Sequence, residues 1–345
     1  MAGYVQYGDI SPRTVAYVIK DLLTRAIPYM VLEKFGQTYP IPTNSTKTAK
    51  FRRYFLQGAT GAAGSGNPAQ AFYVPLAITP LVEGVTPSGN RLANQDYTVP
   101  LNQFGDYVII TDVVMDTHED PILKEATGIM AEQAGMTIET VRFNILKAGV
   151  NVYFANGAIR SAVNTPITLT LQRQITTGML RQNAKMITSV VKSTPDYRTE
   201  PVEGAFIGLG HPDLETDIRN MTGYINPKQY GTTTMYENEV GSVERVRYLT
   251  STIFTPFPDA GGAKGVMRST SGTNADVYPL LYIAKDAYGI VPLKGKDSLT
   301  PMVVNPKPAP GDPLAQRGSV GWKAWQAAVI LQDAFFVRAE VAATA

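Results

Sequence analysis

Two histidines and no cysteine leave little with which to build a catalytic centre, and each candidate fails on spacing. His118-Glu119-Asp120 sets a histidine beside carboxylates. A helical zinc site of the metalloprotease kind needs a second histidine four positions on, where Ile122 stands. His211, Asp213, Glu215 and Asp217 could be gathered around a metal, but helical geometry brings at best His211 and Glu215 together. Their expected role is a capped, solvated helix start, where acidic residues suit the helix dipole. Glu237, Glu239 and Glu244 read in the same way as an exposed acidic face. The glycine-rich stretch 58–66 invites a phosphate-loop reading, yet Gly64 precedes Ser65 where that loop needs lysine. It also lacks a following helix to aim its positive end at phosphate. A nucleophile elbow needs glycine two residues before the serine, and Ala63 occupies that place. Without cysteine there are no disulfides, no thiol catalysis and no thiolate-held zinc or iron–sulfur cluster. No catalytic residue, metal ligand or cofactor is expected, and an α/β hydrolase reading lacks a Ser–His–carboxylate set.

The charged residues that do cluster are Lys47, Lys50, Arg52 and Arg53, in the stretch TYPIPTNSTKTAKFRR at 38–53. Pro40 and Pro42 keep that stretch open and disfavour helix at the residues before them. Thr43, Thr46 and Thr48 favour strand. Together with LVEGVTPSG at 81–89, it has the character of a long projecting β-hairpin. Residues 58–71, rich in Gly and Ala, would form a flexible tip, with return strands at 72–82 and 97–101 and a turn at 86–89. An arm of ~20 residues at ~3.3 Å each reaches roughly 60 Å. A two-stranded ribbon is only marginally stable alone, and this one is expected to find little to pack on within its own subunit. A neighbour would then hold it. The cations could contact nucleic-acid phosphates, pair with carboxylates of a neighbouring subunit, or form a solvated face. Tyr39, Phe51 and Tyr54 interleave with them, which strand preference explains without base stacking. The net charge of +2 does not suit a dedicated nucleic-acid binder. A charged fraction of only 17% fits a surface covered by a large interface, or an ordinary low-charge enzyme.

The remaining elements follow from periodicity. Residues 1–9 read as an arm with Tyr4 and Tyr7 as anchors, and 12–27 as a helix opened by Pro12 and ended by Pro28. A buried strand is expected at 104–114. Asp120-Pro121 then opens the longest helix, 122–150, with an apolar stripe of Ile122, Ala126, Ile129, Ala134, Ile138, Val141, Ile145 and Ala148. Gly128 and Gly135 inside it would mark close packing or a bend. A second helix is expected at 169–184, with Leu171, Ile175, Met179 and Leu180 inward, and a short one at 213–221. Strands are expected at 205–209, 243–249 and 277–284, an irregular polar stretch at 224–241, and loops at 259–274 and 305–313. The stretch 319–341 has two or three stretches of strand character, with Trp325, Ala327, Val329 and Leu331 on one face and Trp322, Ala328 and Ile330 on the other. It should return to the sheet that begins at Phe104. The start of the chain has no basic-then-apolar secretory pattern, and no run approaches 18 apolar residues. A soluble α+β protein away from membranes is expected.

The pieces YPIPTNSTKTAKFRRY, LVEGVTP, QFGDYVIITDVV and AEQAGMTIETVR, in that order, resemble the major capsid proteins of tailed bacteriophages. The resemblance is to the N-four-like capsid family within the Hong Kong 97-type fold, and is carried mainly by residues 38–150. It implies an N-terminal arm and helix at 1–37, an extended loop at 38–100, a peripheral domain with a spine helix at 101–164, an axial domain at 165–303, and a connector and return strand at 304–345. It further implies a structural protein, not an enzyme. Copies would assemble through hexamers and pentamers into an icosahedral virion shell, built in the host cytoplasm around double-stranded DNA held without sequence specificity. A scaffold, a portal and a cement or decoration protein are the further partners implied. Lys47, Lys50, Arg52, Arg53, Tyr54 and Glu83 become the candidates for inter-subunit contact. The alternative on the same fold is an encapsulin-like bacterial nanocompartment that holds cargo proteins. Lys–Asn crosslinking, known in one relative, has no motif here to carry it.

Overall fold

The computed structural model of the chain describes residues 30–42, 46–57, 80–86, 91–112, 122–191, 199–230, 235–293, 299–306, 308 and 313–345. The helix expected at 12–27, the glycine-rich tip 58–71, most of the 72–82 strand and the 86–89 turn, His118 and much of the 305–313 connector lie outside these residues.

A single 3-10 turn at Leu32–Lys34 leads into β1 (Gln37–Thr38), β2 (Thr48–Gln57), β3 (Arg91–Pro100) and β4 (Asn102–Thr111). Helix α1 (Ile122–Lys147) follows, then β5 (Val152–Phe154), α2 (Leu169–Arg181), β6 (Ile187–Val191) and β7 (Thr199–Gly210). Next come the short α3 (Glu215–Arg219), β8 (Tyr224–Ile225), β9 (Glu239–Val243), β10 (Val246–Thr250) and β11 (Val277–Ile283). The chain closes with β12 (Tyr288–Pro292), β13 (Leu299–Val304), β14 (Arg317–Ile330) and β15 (Phe336–Ala342).

Among the described residues these strands make two sheets and a ribbon. In the first sheet β14 is the hub. One edge pairs with β4 from Gln326↔Asn102 to Arg317↔Thr111. Its other edge takes β13 (Ser319↔Val304 to Ala324↔Leu299) and then β12 (Gln326↔Pro292 to Ile330↔Tyr288). β1 adds parallel to β12. The second sheet runs β5-β15-β11-β7-β10-β9-β8, with β6 also on β7. The ribbon is β2 and β3, antiparallel from Thr48↔Pro100 to Gln57↔Arg91.

Strand alternation explains the second sheet's near-continuous apolar runs, since both of its faces are covered. Phe206, Tyr248, Leu280 and Tyr282 point into a core with Leu171, Ile175 and Met179 of α2. Their neighbours Ile207, Leu249, Leu281 and Ile283 point the other way, to Phe143 and Leu146 of α1 and to Val31, Leu32 and Phe35. Thr168 caps α2 by accepting from the Leu171 N–H. The N-terminal half of α1 covers the first sheet, with Met130, Ala134 and Ile138 against Ile110, Val320, Trp322 and Ala324. At 26 residues α1 is about 39 Å long and joins both sheets as a spine.

Four expectations need correction. The α1 stripe is rotated: Ile129 is exposed, while Thr127, Met130, Glu139, Arg142, Phe143 and Leu146 are buried, and Gly128 and Gly135 lie on that buried face. The strand expected at 104–114 and expected to be buried is, over its described part in β4, largely exposed, with Tyr107, Val108 and Ile109 all open and Ile110 buried. Of the strand stretches expected in 319–341, β14 does return to β4, but after a 3-10 turn at Asp333–Phe335 β15 joins the second sheet instead. The described part of 224–241, residues 224–230 and 235–241, holds β8, a 3-10 turn at Pro227–Gln229 and the start of β9. Apart from these, β12 and β13 lie in the first sheet with β14.

Candidate functional site

The ribbon alternates sides as a strand must. Ala49 and Val99 are buried against Ile41, Leu101, Val291 and Ala327, with Phe51 packed beside them. Gly289 makes room, since a Cβ there would come within 2.9 Å of the Phe51 ring. The Phe51 ring also meets Tyr39 edge-on at 6.1 Å. The base of the hairpin is therefore seated on its own subunit, against the expectation that it has little of its own to pack on.

Arg53 follows Phe51 to the inner side. Its Nη1 donates to Gln332 Oε1, and burial pushes its guanidinium down from the ordinary arginine value. Lys50, Arg52 and Tyr54 point outward and are exposed, as are Lys47 and Glu83. Arg52 lies directly opposite Asp96 and grips it with two bonds, Nε to Oδ1 at 2.7 Å and Nη2 to Oδ2 at 2.8 Å. Lys50 Nζ stands 3.5 Å from the same carboxylate. The Arg52 bonds hold Asp96 down at about 2 and raise the arginine in turn. Two of the six candidate contact residues thus share an acid of the same hairpin, the partner the sequence left unidentified. Glu83 rides a separate turn in which the Val85 N–H donates to Val82 O at 3.2 Å and Gly84 takes φ +77°, a conformation glycine adopts without strain. Around it Leu81 is 79% exposed, and Val82 and Val85 are also open.

The body carries apolar surface to match. On the first-sheet face away from α1, Tyr107 and Met302 flank Gly321, and Ile109 and Val304 flank Ser319. All four flanking side chains are exposed, Tyr107 by 63%. A Cβ at Gly321 would fall 2.6 Å from Tyr107 Cβ, so glycine lets the tyrosine lie close over β14. On the outward side of α1, Ile129, Met136, Thr140 and Val141 line a shallow groove of about 470 Å³, with Glu132 and Gln133 among its walls. Scattered exposed apolar residues are ordinary; contiguous ones at several sites mark interaction surfaces.

The acidic candidates are held by protein groups. Asp213 accepts from Arg268 and from the Tyr278 hydroxyl, Asp217 from Thr344, and His211 Nδ1 accepts the Asp213 N–H. Glu239 departs from the exposed acidic face expected of it: it is buried and takes both Arg247 bonds at 2.7 Å. Sequence reasoning also missed the buried pair Glu139 and Arg142 on α1. The apolar stripe leaves them out, and only distant partners reveal their burial. Among the described residues no helix is long and apolar enough to cross a membrane.

The family model for phage capsid protein matches residues 95–339. No curated protein matches the chain by sequence. Among solved structures, the fold is similar to the capsid of Ralstonia phage GP4, with TM-score 0.62, 11% identity, and 90% of this chain and 87% of that chain covered. It is also similar to the capsid asymmetric unit of cyanophage Pam1, with TM-score 0.57, 15% identity, and 93% and 92% covered. A third is the capsid structure of cyanophage P-SCSP1u, with TM-score 0.56, 15% identity, and 91% and 88% covered. The fold is the α+β capsid fold of Hong Kong 97 type, and the family match spans well over half of the sequence. The chain belongs to the phage capsid protein family, and its role is structural, as a building unit of a phage capsid.

Proposed function

We propose that copies of this chain close into an icosahedral shell around double-stranded DNA through five-fold and six-fold rings, each copy making heterologous contacts with the next. In this reading residues 1–37 are an arm, 38–100 an extended loop, 101–164 a peripheral domain, 165–303 an axial domain and 304–345 a connector with a return strand. The outward side of the hairpin, with Lys47, Lys50, Arg52, Tyr54 and Glu83, lies on an adjacent copy, while Arg53 steadies the base. The observation that carries this reading is the unburied apolar surface of the single subunit, at Leu81, Val82 and Val85 on the loop and at Tyr107, Ile109, Ile129 and Met136 on the body. Such surface calls for a partner, and a second copy supplies both halves at once. The near-neutral charge suits DNA held without a dedicated binding groove. Assembly in the host cytoplasm, with a scaffold, a portal and a cement protein as helpers, belongs to the same proposal.

Negative-stain imaging of the purified chain tests assembly, and closed shells are the expected result. Only monomers or open aggregates, under conditions that permit ring formation, would overturn it. Nuclease-treated particles from infected cells should retain DNA. Particles holding an enzyme would favour a nanocompartment instead.

A further inference from the structure

Among the described residues β4 pairs with β14 alone, which leaves its other edge open. The register runs without a slip from Thr111↔Arg317 to Asn102↔Gln326. One step further on, the Asp112 N–H donates to Gln316 O at 3.2 Å. Backbone groups alternate sides along an antiparallel strand, so Asp112 and every second residue before it face β14. Gln103, Gly105, Tyr107, Ile109 and Thr111 turn their backbone groups to the open edge. Beside those groups the Tyr107 and Ile109 side chains are exposed. A row of open donors and acceptors next to apolar side chains is a template for another strand.

The middle donor of that edge is already taken. The Tyr107 N–H donates to Asp106 Oδ1 at 2.8 Å. On the α1 side, Gln133 Nε2 donates to Asp106 Oδ2 at 2.6 Å. The glutamine has no choice of orientation, because its Oε1 accepts the indole N–H of Trp322 at 3.0 Å. Trp322 itself is buried among α1 residues Met130, Ala134 and Ile138. A buried tryptophan on β14 therefore fixes the glutamine amide, the amide fixes the carboxylate, and the carboxylate covers the Tyr107 N–H.

We propose that Asp106, held by Gln133 and Trp322, guards the open edge of β4 against pairing with the same edge of a second copy. Identical edges are self-complementary: two of them meet antiparallel about a two-fold axis, each donor opposite an acceptor. Centred on Tyr107, that pairing would bring the exposed Tyr107 and Ile109 of both copies together on one face, and burial of apolar surface favours it. The Asp106 carboxylate opposes it. Freeing the Tyr107 N–H breaks a charge-assisted bond, and the new strand would dehydrate the carboxylate beside it. Both costs arise twice, once in each copy. A closed two-fold pair of this kind would withdraw subunits from head-to-tail contacts. The guard goes beyond the shell proposal and does not depend on it, because it is read on single subunits.

Residue-resolved hydrogen exchange and sedimentation velocity test it on the full chain, below the concentration at which shells form. In the wild type the Tyr107 amide, corrected for its intrinsic rate, should exchange at least about tenfold more slowly than those of Gly105 and Ile109. Asp106→Ala should erase that difference and give dimers at concentrations where the wild type sediments as single subunits. Ile109→Pro removes a donor that β14 does not use, as proline on an edge strand can. Added to Asp106→Ala, it should restore single subunits. Glu125→Gln removes an equal charge from an exposed position on α1 and should leave both readouts as in the wild type. Equal amide rates in the wild type, single subunits of Asp106→Ala, dimers that survive Ile109→Pro, or dimers of Glu125→Gln would each overturn the inference. The wild-type exchange comparison decides even if the Asp106 variant fails to fold.

Discussion

Excising the outer hairpin while leaving its seat intact separates folding from assembly. Arg53 and Gln95 are directly opposite in the ribbon, so joining them through a two-residue Asn-Gly turn, which suits a hairpin, removes residues 54–94. The base keeps Ala49, Phe51 and Val99 against the body and keeps the Arg52–Asp96 pair. Stability should therefore stay within about 1 kcal/mol, a melting shift of a few degrees in a chain this size. Assembly should suffer far more. The excised piece holds Tyr54, Leu81, Val82, Val85 and Leu92, all exposed in the single subunit. Full burial of an aliphatic or aromatic side chain contributes about 1.5–3 kcal/mol. If contact in a ring buries even two of these five, the loss is about 3–6 kcal/mol per contact. That weakens pairwise affinity by about 100-fold to 10,000-fold. Sedimentation velocity and negative-stain imaging read the outcome: folded, soluble subunits without shells. Normal closed shells at the wild-type threshold concentration would refute the assignment of the outer hairpin to assembly.

Three further outcomes follow from specific contacts. Arg247→Ala leaves Glu239 buried without its bidentate partner and should cost about 3–5 kcal/mol in urea unfolding; a loss below 1 kcal/mol would contradict the burial argument. Gly289→Ala drives a methyl to 2.9 Å from the Phe51 ring and should cost about 1–3 kcal/mol, with Phe51→Leu restoring part of it in a double-mutant cycle. Asp96, held at about 2 by Arg52, contributes to the ribbon above the ordinary aspartate value, and that contribution is lost as pH falls from about 4 through 2. Amide exchange in β2 and β3 should accelerate over that window in the wild type but not in Asp96→Asn.

What could be read from the residues depended on how far away their partners lie. The spine helix, α2 with its inward Leu171, Ile175 and Met179, and the two faces of β14 follow from local periodicity, and Trp322 and Ala327 do fall on opposite sides. Glu139 and Arg142 were hidden because their partners stand 107 and 184 positions away, and no local pattern marks a charge that a distant segment will cover. Of the return arm β3 only its end, in the 97–101 expected, was legible, for another reason. β3 reads RLANQDYTVP, polar and poor in β-branched residues, because one side faces solvent and its pairing rests on Asp96 and Val99. The seating of the hairpin depends on Gly289, whose absent side chain is visible only once Phe51 is seen to occupy the space.

The position of β14 also imposes an order in time. It is the strand on which β4, β12 and β13 all pair, yet it is synthesised roughly 200 residues after β4, a delay of about 10–40 s at ribosomal speeds of about 5–20 residues per second. Until it emerges, nothing joins β4, β12 and β13 into one sheet, and Ala327, part of the seat of the hairpin, has not been made. A nascent chain therefore cannot hold its hairpin in the working position. In the assembly proposed above, docking between copies would wait for chains that have already produced β14, and half-made subunits on neighbouring ribosomes would be kept from joining one another prematurely.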